Sequence, residues 1–302
     1  MNFYKKWFWP LVIPSLLLFT MVILYPFIMG VVNSFLAWRG TYYFDPDTGT
    51  RATSMFKSFV GFANYKEAFQ DTRFISALVY TVKYTFIAVI FVNVAALALA
   101  LMVTKITKNS GIYRTIFFLP NMLGGLALGF IWQFIFQIIF TDILFSPEAL
   151  YLPFLRYMTQ DSTKALFALA MLNTWQYAGY MMIIYVAGLN NISADYYEAA
   201  SIDGASYWYS FRKITIPMLM PSFTIVFFMT LANSFKLLDQ NVALTDGEFG
   251  TRLLAMQILR TVKDTAPPNY GKAQAQAVIF FILVAGITLT QVAITKRKEV
   301  EM

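Results

Sequence analysis

The chain has 302 residues, of which 58% are hydrophobic and only 13% carry a charge. Soluble domains carry about 25% charged residues, so the composition excludes an ordinary soluble protein and indicates a membrane protein. The chain contains no His and no Cys, which excludes disulfides, thiolate chemistry and the usual His or Cys metal sites. The net charge of +7 comes from Lys and Arg residues that flank apolar segments instead of forming one patch, so we expect no nucleic-acid partner.

The first apolar run follows the opening stretch MNFYKKWFWP and continues to about Leu36. It is too long for the core of a signal peptide, and we interpret it as a retained first helix. Later apolar runs are also long enough to cross a bilayer, which takes about 20 residues per helix. The sequence therefore predicts an all-α polytopic membrane protein. Its six predicted transmembrane helices are Trp9–Leu36, Tyr80–Val103, Ile116–Phe140, Ala165–Leu189, Met218–Leu238 and Ala275–Thr295.

The loops between these helices fall into two sets that differ in charge. Lys and Arg are denser, and lie closer to helix ends, in the set formed by the N-terminus, residues 104–115, residues 190–217 and the tail from Lys296. The positive-inside rule places this set, with both termini, in the cytoplasm. In the opposite, external set, the stretch RLLAMQILRTV predicts a short helix, and the turn residues in YYFDPDTGTR predict a loop tip.

We expect three parts and no separate soluble domain. Residues 1–73 would contain the first transmembrane helix and an external loop. Residues 74–295 would form a core of five transmembrane helices with a cytoplasmic loop at 190–217, and residues 296–302 a cytoplasmic tail. Within the core, GLALG at Gly125–Gly129 predicts close packing between helices and no substrate role.

One polar stretch, EAASIDGASYWYSFRKITIP from Glu198 to Pro217, interrupts the apolar chain. The sequence SADYYEAAS predicts a short helix that Ser193 caps. Asp203-Gly204 predicts a turn, and Pro217 suits the first turn of the next helix, where a missing N–H costs nothing. The residues alone leave two interpretations open. The stretch is either a helix–turn–helix whose small Ala and Gly residues let another protein's backbone approach, or an ordinary polar loop.

The spacing of this stretch matches a known pattern. Glu-Ala-Ala at residues 198–200 is followed after three residues by Gly204 and, after nine more, by Ile214-x-Ile216-Pro217. This resembles the EAA motif of the membrane subunits of ABC importers, with Ile216 where the family has Leu. The resemblance implies a coupling helix that docks in a cleft of a separate ATPase subunit. The residues implied in coupling are Glu198, Ala199, Ala200, Asp203, Gly204, Ile214 and Pro217.

Further stretches resemble the carbohydrate permeases of this class, in particular the branch of the larger maltose-transporter membrane subunit. FVGFANYKEAF (Phe59–Phe69) is similar to their FVGLxNY stretch, and RTIFFLPNMLGGLALGFIW (Arg114–Trp132) is similar to their third helix. LNTWQYAGYMMI (Leu172–Ile183) is similar to a later helix. FKLLDQNVALTDG (Phe235–Gly247) resembles FDxxxxLTxGGP, but Gly-Glu-Phe replaces Gly-Gly-Pro at residues 247–249.

The resemblance implies a type I ABC importer transmembrane domain in the bacterial cytoplasmic membrane. It implies four kinds of partner besides the lipid bilayer: a second homologous permease subunit, two ATPase subunits, an extracytoplasmic solute-binding protein and a carbohydrate substrate, in particular an oligosaccharide. The chain has no G-x-x-x-x-G-K-[ST] sequence and therefore no phosphate-binding loop of its own. We expect ATP and Mg²⁺ on the partner ATPase, no cofactor on this chain, and a transport subunit without catalytic residues.

Polar and aromatic side chains of the fourth and fifth predicted helices are candidates for substrate contact, because unpaired polar groups are costly in lipid. Helical spacing places Asn173, Tyr177 and Tyr180 on one face of the fourth helix. The same spacing places Asn233 and Lys236 on one face of the fifth, with Gln240 one turn further. By the resemblance, Tyr180 and Asn233 occupy sugar-contact positions, whereas Tyr177 and Met229 align with such positions but differ in residue. The alternative is that these groups only join helices. The full set is Asn173, Gln176, Tyr177, Tyr180, Met229, Asn233, Lys236 and Gln240.

Two other functions are alternatives to the importer subunit. A standalone secondary transporter or channel for a small polar solute usually carries acidic side chains within its helices. Here the acids lie in loops or at helix ends, as Asp142 and Asp239 do, and no inverted repeat is visible. An intramembrane enzyme has little support, because the chain lacks His and shows no nucleophile elbow or Ser/Lys pairing. The importer subunit is the leading interpretation, and the standalone transporter is the alternative.

Overall fold

The computed structural model describes residues 2–106 and 109–297. Within them the chain is helical, with isolated β-bridges but no β-sheet, which confirms the predicted all-α fold. Short π-helical and 3-10 turns connect several helices. In chain order the α-helices are α1 (Asn2–Phe19), α2 (Tyr25–Asn33), α3 (Ala63–Gln70), α4 (Thr72–Lys105), α5 (Ser110–Phe118), α6 (Gly125–Phe134), α7 (Ser162–Asn190), α8 (Ala194–Ile202), α9 (Tyr207–Ser210), α10 (Ile216–Met218), α11 (Met220–Phe235), α12 (Asp239–Thr245), α13 (Leu254–Lys263) and α14 (Tyr270–Lys296).

The chain divides into two compact units. The smaller unit consists of the residues up to Ile75 together with Gln257–Ile282. The larger unit consists of Ser76–Met256 together with the residues from Leu283 onward. The larger unit therefore contains the polar stretch and every candidate substrate residue.

Fewer segments pass as membrane spans by length and apolar composition than the six predicted. Among the described residues, four helical segments are long and apolar enough to cross a bilayer. They are Trp7–Asn33, Thr72–Lys105, Gly125–Leu144 and Tyr270–Lys296. A fifth arises if Tyr207–Met218 and Met220–Phe235, which meet at a bend of 66°, count as one span. The predicted count of six is not confirmed by this criterion.

The fourth predicted helix accounts for part of this difference. It forms as α7, whose 29 residues are enough to cross a bilayer, but it is not among the segments that are apolar enough. Many of its residues between Ala165 and Val186 are buried within the unit, Asn173 and Gln176 among them. A helix surrounded by protein can carry polar groups that a lipid-facing helix cannot, so its composition reflects its central position.

The third predicted helix, Ile116–Phe140, is interrupted, which corrects the sequence interpretation. α5 ends before a 3-10 turn that contains Pro120. Gly124 then has extended backbone angles, with φ of −64° and ψ of 141°, and precedes α6. Proline removes a helical hydrogen-bond donor and glycine leaves the helix easily. The apolar span is therefore Gly125–Leu144.

Glycines permit close approach at two helix contacts of the larger unit. A Cβ atom on Gly179 of α7 would lie 1.8 Å from the backbone oxygen of Phe117 in α5. A Cβ atom on Gly129 of α6 would lie 2.5 Å from the Cβ of Ala243 in α12. Neither distance leaves room for a side chain, and the second contact confirms the packing role predicted for GLALG.

The smaller unit contains the predicted loop tip and an ion pair. Asp45 Oδ1 accepts hydrogen bonds from the backbone N–H groups of Asp47 and Thr48 at 2.9 and 3.3 Å, and these bonds lower the pKa of Asp45. Lys272 Nζ lies 2.8 Å from Asp71 Oδ2. Partial burial opposes ionisation of Asp71, but the hydrogen bond and charge of Lys272 outweigh it and hold the pKa of Asp71 below its ordinary value.

Candidate functional site

The polar stretch folds into two helices joined by a tight turn. α8 begins after Ser193, whose Oγ accepts a hydrogen bond from the backbone N–H of Asp195 at 3.3 Å. Ser206 caps α9 in the same way by accepting from the N–H of Tyr209 at 3.3 Å. Such caps satisfy N–H groups that have no partner within the helix. The predicted short helix and its cap are confirmed, and we call residues 193–218 the helix–turn–helix segment.

The turn between these helices depends on Gly204. Its φ of +77° lies in the left-handed region, which glycine adopts without a steric penalty. The N–H of Ala205 then reaches the carbonyl of Ala200 at 2.9 Å, and the N–H of Gly204 reaches that of Ser201 at 3.1 Å. This is the usual way in which a left-handed glycine closes a helix. The predicted turn at Asp203 and Gly204 is confirmed.

The helix–turn–helix segment exposes much of its surface. Glu198 and Ala199 are exposed, while Ile202 and Trp208 are 86% and 66% exposed. No atom of the described residues lies within 4 Å of the place where a Cβ on Gly204 would stand. Exposed apolar groups around an open turn are typical of a surface that another protein covers.

The helix after the turn begins earlier than the sequence predicts. α9 starts at Tyr207, a π-helical turn covers Phe211–Thr215, and Pro217 lies in α10 directly beyond it. Pro217 is therefore not in the first helical turn after a loop. The π turn changes the hydrogen-bonding pattern just before the proline, so the missing N–H and the ring are accommodated within a helical path. The path then bends by 66° between Met218 and Met220.

One contact within the helix–turn–helix segment, and one contact to α4, fix the position of the segment. The hydroxyls of Tyr197 and Thr215 lie 2.9 Å apart, which connects α8 to the π-helical turn. Lys105 Nζ, at the end of α4, lies 4.8 Å from the ring centre of Tyr207. The segment is thus held in a defined position while its turn stays exposed.

Among the candidate substrate residues, Gln176 and Gln240 meet directly. Nε2 of Gln240 donates to Oε1 of Gln176 at 2.8 Å, and Nε2 of Gln176 lies 3.4 Å from the carbonyl oxygen of Leu123. Both glutamines are buried. The pair joins α7 to α12 and to the interruption before α6, and its buried polar groups find partners within the protein.

Other candidates on α7 and α11 line an apolar region. Tyr177, Tyr180 and Met229 are half-buried against a cluster formed by α4, α7 and α11. The ring of Tyr180 packs against Phe118 with 6.1 Å between ring centres. Asn173 is buried, and within the described residues its Oδ1 has no hydrogen-bond partner. These side chains combine aromatic faces with an amide, which is the chemistry that a sugar needs.

Asn233, Lys236 and Gln240 do not lie along one continuous helix. α11 ends at Phe235, and Leu238 has non-helical angles, with φ of −126° and ψ of −61°, before α12 begins. Gln240 therefore belongs to a separate helix. Asn233 is half-buried on α11, and Lys236 is exposed.

A buried polar network lies in the same region, and the sequence analysis missed it. Tyr185 OH donates to Asn93 Oδ1 at 2.8 Å, and Asn93 Nδ2 lies 3.1 Å from Thr230 Oγ1. All three side chains are buried, and they join α4, α7 and α11. The available signal was Asn93 itself, because an amide within a long apolar run requires an internal partner.

Apolar helices, a polar interior and an exposed helix–turn–helix segment together define a membrane-embedded transport subunit. Among the described residues, no group of three or more acidic side chains is placed to hold a metal ion. The chain belongs to the family of binding-protein-dependent transport system inner membrane components, whose family model matches residues 93–299. This confirms the family predicted from the EAA spacing, and the family's role is transport.

Two relatives support the assignment, and one solved structure shares the fold. The chain is 36% identical to AmyD of Thermoanaerobacterium thermosulfurigenes, a probable permease protein for starch degradation products, over 100% of this chain and 98% of the relative. It is 29% identical to MsmF of Streptococcus mutans, a permease protein of a multiple sugar-binding transport system, over 98% and 97%. A bacterial ABC transporter that imports alginate contains a chain with the same fold, with a TM-score of 0.75, 19% identity and coverage of 98% of this chain and 99% of that chain.

Proposed function

We propose that this chain is the permease subunit of an ATP-driven, binding-protein-dependent importer of neutral oligosaccharides, and that it forms half of the translocation pathway. One observation carries the proposal: the exposed helix–turn–helix segment connects directly to the helices that bear the candidate substrate residues. α7 ends at Asn190, three residues before Ser193, and the segment leads through the 66° bend into α11. A movement of the segment is therefore transmitted to both helices.

The coupling role falls to the residues around the turn. Glu198, Ala199, Ala200, Asp203 and Gly204 form the end of α8 and its exit, while Ile214 and Pro217 lie on the path into α11. An ATPase subunit would cover the exposed surface. ATP and Mg²⁺ bind to that partner, and this chain supplies no catalytic residue. Two such ATPases, a second homologous permease and an extracytoplasmic solute-binding protein complete the proposed complex.

The same arrangement supports an orientation in the membrane. The segment must face the compartment that holds ATP, so it lies in the cytoplasm together with both chain termini. The Lys and Arg density of the loops agrees with this placement. The complex would then reside in the bacterial plasma membrane and import its substrate.

The choice of a neutral oligosaccharide rests on the candidate side chains and on the relatives. Most of the candidates are amides and phenols, and the charged one, Lys236, is exposed. Hydroxyl-rich substrates suit such groups, whereas an acidic substrate would call for more cations. AmyD is named for the transport of starch degradation products and MsmF for a multiple sugar-binding transport system. We assign the substrate contacts to Asn173, Gln176, Tyr177, Tyr180, Met229, Asn233, Lys236 and Gln240.

Co-purification from gently solubilised native membranes tests the coupling. We expect an ATPase and a second permease to accompany the tagged wild-type chain. Glu198→Arg and Gly204→Trp should each lose the ATPase while keeping the second permease. Glu148→Arg reverses an exposed charge outside the segment, and Gly204→Asn keeps a residue that tolerates positive φ, so both controls should retain the ATPase.

A chain that purifies alone, or variants that retain the ATPase fully, would contradict the proposal. The standalone transporter would then be tested by reconstituting the chain by itself and imposing a proton or sodium gradient. Solute accumulation under the gradient, without ATP, is the result that this alternative requires.

A further inference from the structure

One cavity of the larger unit is lined by none of the candidate substrate residues. It has a volume of about 500 Å³ and lies between the end of α6, the residues before α7, and α12 with the turn that follows it. Its polar lining includes Gln133, Gln137 and Thr159, and aromatic rings are supplied by Phe130 and Phe249. Amides, hydroxyls and aromatic faces are the groups that recognise a sugar ring.

Polar groups of the cavity are left available for a ligand. Thr159 is 4% exposed as a residue, and among the described residues neither its side chain nor that of Gln137 makes a hydrogen bond. Gln133 Nε2 makes only a long contact of 3.5 Å with the carbonyl oxygen of Leu244. These amide and hydroxyl groups can therefore bond to the hydroxyls of a ligand that enters the cavity.

Phe249 is held in an unusual position at this cavity. Its φ is +54°, a left-handed conformation that is a genuine outlier for a bulky residue. Its ring is nevertheless 61% exposed and lines the cavity, so burial of the ring does not stabilise the strained backbone. Strain of this kind concentrates at ligand-binding positions.

We propose that this cavity is an outer subsite for a neutral saccharide, in which Phe249 stacks on a sugar ring and Gln133, Gln137 and Thr159 bond its hydroxyls. The proposal rests on the proposed function, because the orientation given there places the cavity on the external side. Glu248 also lines the cavity. Its carboxylate accepts hydrogen bonds from hydroxyls and repels uronic acids, which favours neutral sugars over acidic ones.

Photolabelling of the complete complex in nanodiscs, with the solute-binding protein omitted, tests the subsite directly. The probe is maltotriose that carries a diazirine, and labelled peptides are mapped by mass spectrometry. We expect labelling of the peptides that contain Gln137 and Phe249, with competition by maltotriose but not by a uronic-acid trisaccharide. Phe249→Asn keeps a residue that tolerates positive φ and removes the ring, so labelling should fall about fivefold, as expected for the loss of one aromatic contact. Phe249→Trp should retain it.

Uptake into proteoliposomes by the complete complex separates this inference from the proposed function. Phe249→Asn should raise the half-saturating concentration about fivefold with little change in maximal rate, because it weakens a binding contact. Tyr151→Asn is the matched control, since Tyr151 is an exposed aromatic residue of the same unit that does not line the cavity. It should leave both measurements unchanged.

Different results would contradict the proposed function and the proposed outer subsite. If the wild-type complex takes up no saccharide, the proposed function fails. If it transports maltotriose but the cavity peptides stay unlabelled, or if Phe249→Asn leaves labelling and half-saturation unchanged, the subsite is overturned. The subsite is also overturned if Phe249→Asn weakens only the docking of the solute-binding protein, because the surface would then be a protein contact.

Discussion

Gly204 and Gly179 are both positions that favour glycine, but for different reasons. Gly204 has a positive φ and empty space where a side chain would stand. Gly179 lies within α7, where the backbone of Phe117 occupies that space. The first glycine shapes an exposed turn through bonds between residues no more than five positions apart, whereas the second allows separate helices to touch. The helix–turn–helix segment is therefore specified locally, and the bundle behind it is specified by packing between distant residues.

The largest effect is expected at the helix contact. Gly179→Ala places a Cβ 1.8 Å from a backbone oxygen that has no rotamer to change, so α5 and α7 must separate. We expect a loss of about 1–3 kcal/mol of stability, the usual cost of overpacking. The measurement is the thermal midpoint of the purified complex in detergent, followed by size-exclusion chromatography.

Gly286→Ala is the matched control for this substitution. Gly286 also lies in a helix, α14, but has nothing within 4 Å of its added Cβ. It should leave the midpoint unchanged or raise it slightly, since alanine favours a helix by about 1 kcal/mol over glycine. Equal midpoints for the two variants would show that the close contact does not limit stability.

The next largest loss of stability is expected from the buried polar network of Tyr185, Asn93 and Thr230. Asn93→Leu leaves the hydroxyl of Tyr185 without this partner in an apolar surrounding, at a cost of about 1–3 kcal/mol, whereas the Thr230 hydroxyl keeps its 2.7 Å bond to the carbonyl oxygen of Val226. The double variant Asn93→Leu, Tyr185→Phe removes the orphaned hydroxyl as well, and it should recover most of the lost midpoint. If the double variant is less stable than the single one, the desolvation argument is wrong and the network contributes through its bonds themselves.

The features that could be predicted from the sequence are those built from neighbouring residues. The cap at Ser193, the turn at Gly204, the loop tip around Asp45 and the packing role of GLALG all follow from residue types at short spacing. The EAA spacing also identified the family. Each of these features depends on residues within one continuous stretch of the sequence, so it could be predicted without the fold.

The features that were missed depend on contacts across the chain or on competition between signals. The Gln176–Gln240 bond joins residues 64 positions apart, and the Tyr185–Asn93 bond joins residues 92 apart. At Pro120 and Gly124 the helix-breaking residues compete with a continuous apolar run, and the run alone predicts one unbroken helix. Burial of α7 likewise depends on its neighbours, which hydropathy alone does not reveal.

A smaller effect is expected for the glutamine pair. Gln176→Ala and Gln240→Ala each remove one side of the 2.8 Å bond, so the loss in the double variant should be smaller than the sum of the two single losses. A coupling of about 0.5–1.5 kcal/mol is expected for a buried neutral hydrogen bond. It is measured as a double-mutant cycle on the thermal midpoint. Strictly additive losses would mean that the two amides stabilise the protein independently.

Ser193→Ala should have the smallest effect on the helix bundle. It also tests most directly whether the helix–turn–helix segment is stabilised independently of the bundle. Loss of the cap costs about 1 kcal/mol of helix stability, and because α8 is exposed, this cost should stay local. Amide exchange in the first turn of α8 should accelerate about fivefold, while the midpoint of the complex stays close to that of the wild type. Ser193→Asp restores a capping oxygen and should restore slow exchange. If Ser193→Ala instead lowers the midpoint as far as Gly179→Ala does, the segment belongs energetically to the bundle, and a movement of the segment could not occur without loosening the helices that it is proposed to drive.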